Sequence, residues 1–321
     1  MNKIVKTKGL TKYFHIKSDY SKLKLLAVNN VNLEIYEGEC LGLVGESGSG
    51  KSTLGRILAR LINQNSGEIL FNGDNISDID LNKFSQSKYR PDIQMVFQDQ
   101  NSSLNPQFNI KKCLSDPLIK LKKLSNKIKI NEIIDNVLIS VGLSSQLVHR
   151  YPHQLSGGQK TRVGIARAIS VLPKLIIFDE PTSSVDASTQ SLILKMLDDF
   201  RIKHRISYLF ISHDINVVRL ISQRIAVMYL GNIVECGPTE NIVNSPNHPY
   251  TKSLLSSVPK LSQVNLTNRM KLIGEPKSMF ELNHEKCILL DRCEFKKEIC
   301  QNQKPEYNII NSNHYSACHF Y

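Results

Sequence analysis

Tryptophan is absent from the 321 residues, and no apolar run approaches the roughly 20 residues that a membrane-spanning helix needs. Apolar stretches such as Leu175 to Phe178 are strand-sized, so no bilayer crossing is expected. Met1-Asn2-Lys3-Ile4-Val5-Lys6 carries charge but no following apolar core or small-residue cleavage site, which leaves the cytosol as the expected compartment. Acid is scarcer than base, 29 Asp and Glu against 41 Lys and Arg, for a net charge of +12. That balance suits polyanions such as nucleotides, nucleic acid or lipid headgroups, and cannot choose among them. It carries little weight, since the lack of Trp and the many Lys, Asn and Ile also fit a biased genome. A hydrophobic fraction of 41% and a charged fraction of 22% disfavour disorder.

Glycine is missing between Gly73 and Gly142, yet six of the 16 crowd between Gly38 and Gly55. Short β-rich runs recur at Val31–Ile35, Leu41–Val44, Ile93–Phe97, Leu175–Phe178, Tyr208–Ile211 and Ile225–Met228, separated by helical patterning. Such alternation predicts a mostly parallel sheet covered on both faces. Between about Lys111 and Gly142, apolar residues at spacings of three and four among lysines predict inserted amphipathic helices. Six of the 12 prolines fall from Pro238 onward, marking the C-terminal region as a separate module.

The run Leu41-Gly42-Leu43-Val44 leads into Gly45-Glu46-Ser47-Gly48-Ser49-Gly50-Lys51-Ser52-Thr53, a phosphate-loop pattern in the required order of strand, loop and helix. The glycines let backbone N–H groups turn around phosphate oxygens, and the helix start adds its positive end. Lys51 would reach the β and γ phosphates, and Ser52 would hold Mg²⁺. In Leu175-Ile176-Ile177-Phe178-Asp179-Glu180, a buried strand ends in two carboxylates at the carboxyl end of a sheet, where such folds bind ligands. Asp179 would bind the metal through water, and Glu180 would polarise the attacking water. Taken alone, the same pair also reads as a cap on the segment after Pro181.

Leu155-Ser156-Gly157-Gly158-Gln159 resembles the signature of ABC-transporter nucleotide-binding subunits. Ser156 with the glycine amides at a helix start makes a second anion site, over 100 residues from the phosphate loop. The resemblance implies that it acts on the γ-phosphate held by a partner subunit, in a head-to-tail pair. It also implies a P-loop ATPase core with an antiparallel β part, over residues 1–235. A helical subdomain would occupy about 100–170, with a small cysteine-containing extension over 236–321. By the same resemblance Phe14 stacks on adenine, with Tyr13 as alternate, Gln98 senses Mg²⁺, and His213 contacts the γ-phosphate. Ser183-Ser184-Val185-Asp186 is similar to the loop that touches the opposite site, although Ala-Leu is commoner where Ser184-Val185 stands.

Asn247-His248-Pro249-Tyr250-Thr251 resembles the C-terminal extension of oligopeptide and dipeptide importer ATPases, and so does Ser103-Leu104-Asn105-Pro106. Gln100-Asn101-Ser102 departs from the usual Pro-Tyr-Gly, while Tyr151-Pro152-His153 points to the F-type member. The cofactors implied are ATP and Mg²⁺. The implied partners are a second ATPase subunit, two membrane permease subunits and an extracytoplasmic binding protein, at the inner face of the membrane. Nickel and antimicrobial-peptide systems use similar ATPases, so cargo stays open. A soluble ATPase acting on ribosomes or DNA would suit the charge, but the chain has neither a second cassette nor a long heptad insert.

Seven cysteines is an odd number, and Cys287, Cys293, Cys300 and Cys318 lie in the last 35 residues, with His284, His314 and His319 nearby. In a reducing compartment this clustering suggests metal before disulfide. The spacing lacks the two-residue gap of zinc knuckles. The resemblance implies a [4Fe–4S] cluster, with zinc and plain thiols as alternatives.

Overall fold

The computed structural model describes residues 2–18, 21–99, 103–183, 185–256, 272–274, 285–311 and 313–320. Ser184, Gln100 to Ser102 and His284 lie outside the described residues. The strands in chain order are β1 (Lys3–Ser18), β2 (Ser21–Val31), β3 (Glu34–Tyr36), β4 (Cys40–Val44), β5 (Ser66–Phe71), β6 (Asp74–Asn75) and β7 (Ile93–Val96). They continue with β8 (Leu175–Asp179), β9 (Ser207–Ser212), β10 (Arg224–Tyr229), β11 (Asn232–Pro238), β12 (Asn308–Asn311) and β13 (His314–Ser316). The helices are α1 (Lys51–Leu58), α2 (Leu81–Ser85), α3 (Ile110–Lys120), α4 (Lys127–Ser140) and α5 (Gly157–Ile169). After them come α6 (Ala187–His204), α7 (Ile215–Ile221), α8 (Thr239–Asn244), α9 (Pro249–Ser256) and α10 (Glu298–Asn302).

Two sheets organise the chain. The larger has eight strands in the order β12-β13-β11-β10-β4-β9-β8-β7, and β10, β4, β9, β8 and β7 run parallel to their neighbours. Its central strands are buried on both faces, which explains why their sequences run apolar without alternation. Successive residues feed two separate cores. Leu175, Ile177, Leu209 and Ile211 join Leu54 and Ile57 of α1 and the antiparallel sheet, while Ile176, Phe178, Tyr208 and Phe210 join α3, α4, α5 and α7 on the other side. Gly42 is required in β4 because α7 packs so closely that a Cβ there would lie 2.0 Å from a methyl of Val218.

The smaller sheet is antiparallel, ordered β2-β1-β5-β6 with β3 also on β1. The expected strand Val31–Ile35 is split: Val31 closes β2 and Ile35 belongs to β3, because β2 and β3 pair with different stretches of β1. The inserted helices form where the spacing predicts, with Asn109 capping α3 and Asn126 capping α4 through their side-chain oxygens. The C-terminal hairpin β12–β13 is continuous with the core sheet, since Glu235 and Cys236 of β11 pair with Ser316 and Tyr315.

Candidate nucleotide site

The loop from Gly45 to Gly50 leaves β4 and enters α1, and glycine is needed at both of its ends, a Cβ at Gly45 lying 2.1 Å from the Met228 carbonyl oxygen. Gly50 has φ +103°, and a Cβ there would lie 2.1 Å from the Ala27 carbonyl. Lys51 opens α1, is 4% exposed, and donates from Nζ to the carbonyls of Gly45 and Glu46, both at 2.8 Å. Burial lowers its pKa, opposed by the carboxylates of Glu180, Asp179 and Glu46. The ammonium is therefore held inside the loop by carbonyls that a phosphate could replace.

Ser52 Oγ donates to Asp179 Oδ1 at 2.7 Å, joining the start of α1 to the end of β8. Burial raises the Asp179 pKa, with Ser52 acting against it. A buried carboxylate beside a hydroxyl is a hard-oxygen pair that suits a small divalent cation. Glu180 follows with φ +47°, an unusual conformation for a side chain with a Cβ. Its N–H donates to the Ile211 carbonyl at 3.0 Å, tying the strained residue to β9. Its Oε2 accepts from Gln98 Nε2 at 3.1 Å and lies 3.0 Å from His213 Nδ1. Gln98 follows β7 and His213 follows β9, so residues at the carboxyl ends of β4, β7, β8 and β9 converge.

Gly50, Lys51, Ser52, Gln98, Glu180 and His213 line one cleft of about 550 Å³ that also includes Phe14, Ser47, Gly48 and Thr53, while Asp179 is buried behind Ser52 and off its wall. Phe14 is 37% exposed on β1 and faces this cleft. The alternate, Tyr13, is instead engaged by Lys24, whose Nζ lies 3.8 Å from its ring centroid. Ser49 is buried behind the loop. The sequence reading missed Leu25 and Ala27 of β2, which form the apolar wall beside Phe14. Their only signal is membership of a hairpin whose Lys-rich strands hid its character.

The signature segment does not enter this cleft. Ser156 and Gln159 form a capping box on α5, with Gln159 N–H donating to Ser156 Oγ at 3.3 Å and Ser156 N–H donating to Gln159 Oε1 at 3.0 Å. Ser156 and Gly157 are exposed, and Gly158 lies against Val185 and Thr189. Asp186 caps α6, and hydrogen bonds from Ser188 and Thr189 hold its carboxyl well below the usual carboxylate range. Both segments stand outside the chain's own cleft, on an accessible face.

The four tail cysteines are free thiols. Cys287 lies near enough to Cys300, Cys293 and Cys318 for a thiolate at any of them to oppose its ionisation, and its N–H donates to the Cys300 carbonyl at 3.1 Å. Burial pushes its pKa up to about 12. The thiols gather, but among the described residues no group of three or more His, Cys, Asp or Glu side chains is arranged to hold a metal ion. The arrangement therefore adds no ligand set to the expected cluster.

Comparison with known proteins follows the same lines. The family model described as ABC transporter matches residues 28–183, and the oligopeptide/dipeptide transporter C-terminal region matches residues 234–300. The oligopeptide transport ATP-binding protein AppF of Bacillus subtilis is 39% identical over 322 residues, covering 99% of this chain and 97% of that protein. The dipeptide transport ATP-binding protein DppF of Lactococcus lactis subsp. cremoris is 42% identical over 252 residues, covering 78% of this chain and 80% of that one. A solved dimer of the ATP-binding cassette MJ0796, in a post-hydrolysis state bound to ADP and Pi, matches with TM-score 0.67 and 32% identity. That match covers 73% of this chain and 98% of the cassette. The chain thus belongs to the ABC transporter family, among its oligopeptide and dipeptide transport ATP-binding proteins.

Proposed function

We propose that this chain energises the import of dipeptides or oligopeptides, binding and hydrolysing ATP at the inner face of the membrane. Membership of the family makes it an ATPase. The observation that carries the reading is the meeting of Lys51, Ser52, Glu180, Gln98 and His213 on one cleft, drawn from four parallel strand ends. Lys51 and the loop amides from Ser47 through Thr53 would bind the phosphates, with Gly45 and Glu46 shaping the loop and the Glu46 amide held by Tyr250, and Phe14 would stack on the base. Ser52 and Asp179, with Gln98 nearby, would hold Mg²⁺, which supplies charge neutralisation to the departing phosphate. Glu180 would orient and polarise the water, with His213 and Gln98 positioning its carboxylate.

Ser156, Gly157, Gly158 and Gln159, together with Asp186, would complete the site of a second ATPase subunit. The exposure of Ser156, Gly157 and Asp186 outside the chain's own cleft supports this reading. Nucleotide between the two surfaces then closes the pair, and hydrolysis reopens it. Among the described residues no helix is long and apolar enough to cross a membrane, and we assign the pore to two permease subunits and cargo delivery to an extracytoplasmic binding protein. Glu180→Gln tests the core of this reading. Turnover should fall on the order of 10²–10⁴-fold, while ATP binding persists and the closed pair accumulates on size exclusion. Turnover near wild type removes Glu180 from the proposed role.

The division of the chain into 1–235 and 236–321 is kept as part of the proposal, although the tail hairpin shares the core sheet. For the tail we retain the [4Fe–4S] reading of Cys287, Cys293, Cys300 and Cys318. Its support is the closeness of the tail cysteines, whose ionisation in the cases of Cys287 and Cys293 is opposed by burial and by neighbouring thiolates, a cost that a bound cation would offset. Anaerobic purification with iron and acid-labile sulfide assays tests it, and colourless, iron-free protein rejects it.

A further inference from the structure

Glu46 sits inside the phosphate loop, and two distant parts of the C-terminal region grip it. Its backbone N–H donates to Tyr250 Oη at 2.8 Å. Its carboxylate accepts two bonds from Arg292, Nη1 at 3.0 Å and Nη2 at 3.2 Å. Its carbonyl accepts from Lys51 Nζ. Every polar group of this one residue is therefore engaged, two of the three by residues more than 200 positions away in sequence.

Both arms are themselves anchored. Tyr250 is fully buried in α9, and its ring packs against that of Tyr229 at a 47° tilt with centroids 4.5 Å apart, while the Arg292 guanidinium sits over the Tyr229 ring. The start of α9 is pinned by Glu235 of β11, whose carboxylate accepts from the N–H groups of Asn247 and His248 at 2.8 and 3.0 Å. Arg292 has a side chain only 10% exposed, and its carbonyl accepts from Ile273 N–H at 3.2 Å. The Asn-His-Pro-Tyr motif is thus a lever whose tip is the Tyr250 hydroxyl.

We propose that Tyr250 and Arg292 are positioning residues of the phosphate loop, through which the C-terminal region sets the affinity for nucleotide. Two physical reasons apply. A glycine-rich loop loses much conformational freedom when it closes on phosphate, and holding Glu46 in advance removes part of that cost. A carboxylate within the loop also repels the phosphates of ATP, and a bidentate guanidinium cancels its charge. Neither residue need touch the nucleotide. The inference rests on the cleft being the nucleotide site.

The test is titration of the full chain with a fluorescent ATP analogue (mant-ATP), with thermal melting of each variant alongside. Arg292→Gln leaves the Glu46 charge unpaired and should raise Kd about tenfold, the size of a charge-assisted bond discounted for partial exposure of the pair. Glu46→Gln should cost less, and Arg292→Gln added to Glu46→Gln should cost little more, because the offending charge is already gone. In the assembled transporter the KM for ATP should rise by more than kcat falls. Tyr250→Phe keeps the buried ring and should raise Kd about threefold, as for one net hydrogen bond; it decides the matter if Arg292→Gln does not fold. Unaltered affinity in Arg292→Gln and Tyr250→Phe, or strictly additive costs of Arg292→Gln and Glu46→Gln, overturns the proposal. Wild-type chain that takes up no mant-ATP overturns the nucleotide-site reading beneath it.

Discussion

Lys51 is a buried ammonium held by two carbonyls, so its replacement removes both the phosphate contact and the partner of those carbonyls. Lys51→Met should weaken ATP binding by about 10- to 100-fold, as expected of hydrogen bonds to a charged group, read by titration with the same analogue. His248 shows the effect of burial on titration. It is 2% exposed, its Nδ1 accepts from Tyr250 N–H at 3.1 Å, and burial lowers its pKa from 6.5 to about 3. The unfolded chain therefore takes up a proton near pH 6.5 that the folded chain refuses until about pH 3. His248 supports stability fully above pH 6.5, and that support is lost as pH falls toward 3, by at most about 1.4 kcal/mol per pH unit. Urea midpoints at pH 7.5 and 5.5 should differ less in His248→Asn than in wild type; equal differences would remove His248 as the source.

At the scale of an element, α5 carries two duties at its first turn. Ser156 and Gln159 satisfy each other's backbone donors, so Ser156→Ala should cost about 1 kcal/mol of stability in urea denaturation. Ser156→Asp restores an oxygen cap and should recover that stability. If Ser156 also faces a partner's phosphate, the carboxylate at this position repels it, and ATP turnover of the assembled transporter should stay low in both variants. Turnover that tracks stability instead would reduce Ser156 to a cap. The strands β4, β8 and β9 illustrate the converse, since their doubly buried faces leave no polar alternation and make them easy to recognise. The hairpin β1–β2 was harder to recognise, because its exposed lysines mask an alternating pattern that register with a neighbour resolves.

At the scale of the whole molecule, the C-terminal hairpin is bound into the core sheet. β13 lies on β11, where His314 Nε2 is 2.9 Å from Glu235 Oε1 and both side chains are almost wholly buried. Ending the chain after Glu306 removes β12 and β13, strips Glu235 of this partner and opens an edge of the large sheet. Loss of one member of a buried pair costs about 3–5 kcal/mol, a fall in melting temperature on the order of 10 °C for a chain of this size. A melting temperature unchanged by the truncation would show the hairpin to be an appendage. Because Glu235 also holds the start of α9, the truncated chain should lose affinity for nucleotide as well.

The phosphate loop, the strand ending in Asp179-Glu180 and the Leu155–Gln159 segment were readable from the chain alone, since each is a short run whose backbone geometry is set by its own neighbours. The inserted helices were readable for the same reason, through their spacing and their Asn caps. The union of four strand ends around Glu180, the wall of Leu25 and Ala27, the placement of the β12–β13 hairpin and the hold of Tyr250 and Arg292 on Glu46 belong to the tertiary structure. Those pairings join residues up to 246 positions apart. They are chosen by register, burial and desolvation among surfaces that meet only when the sheet is assembled.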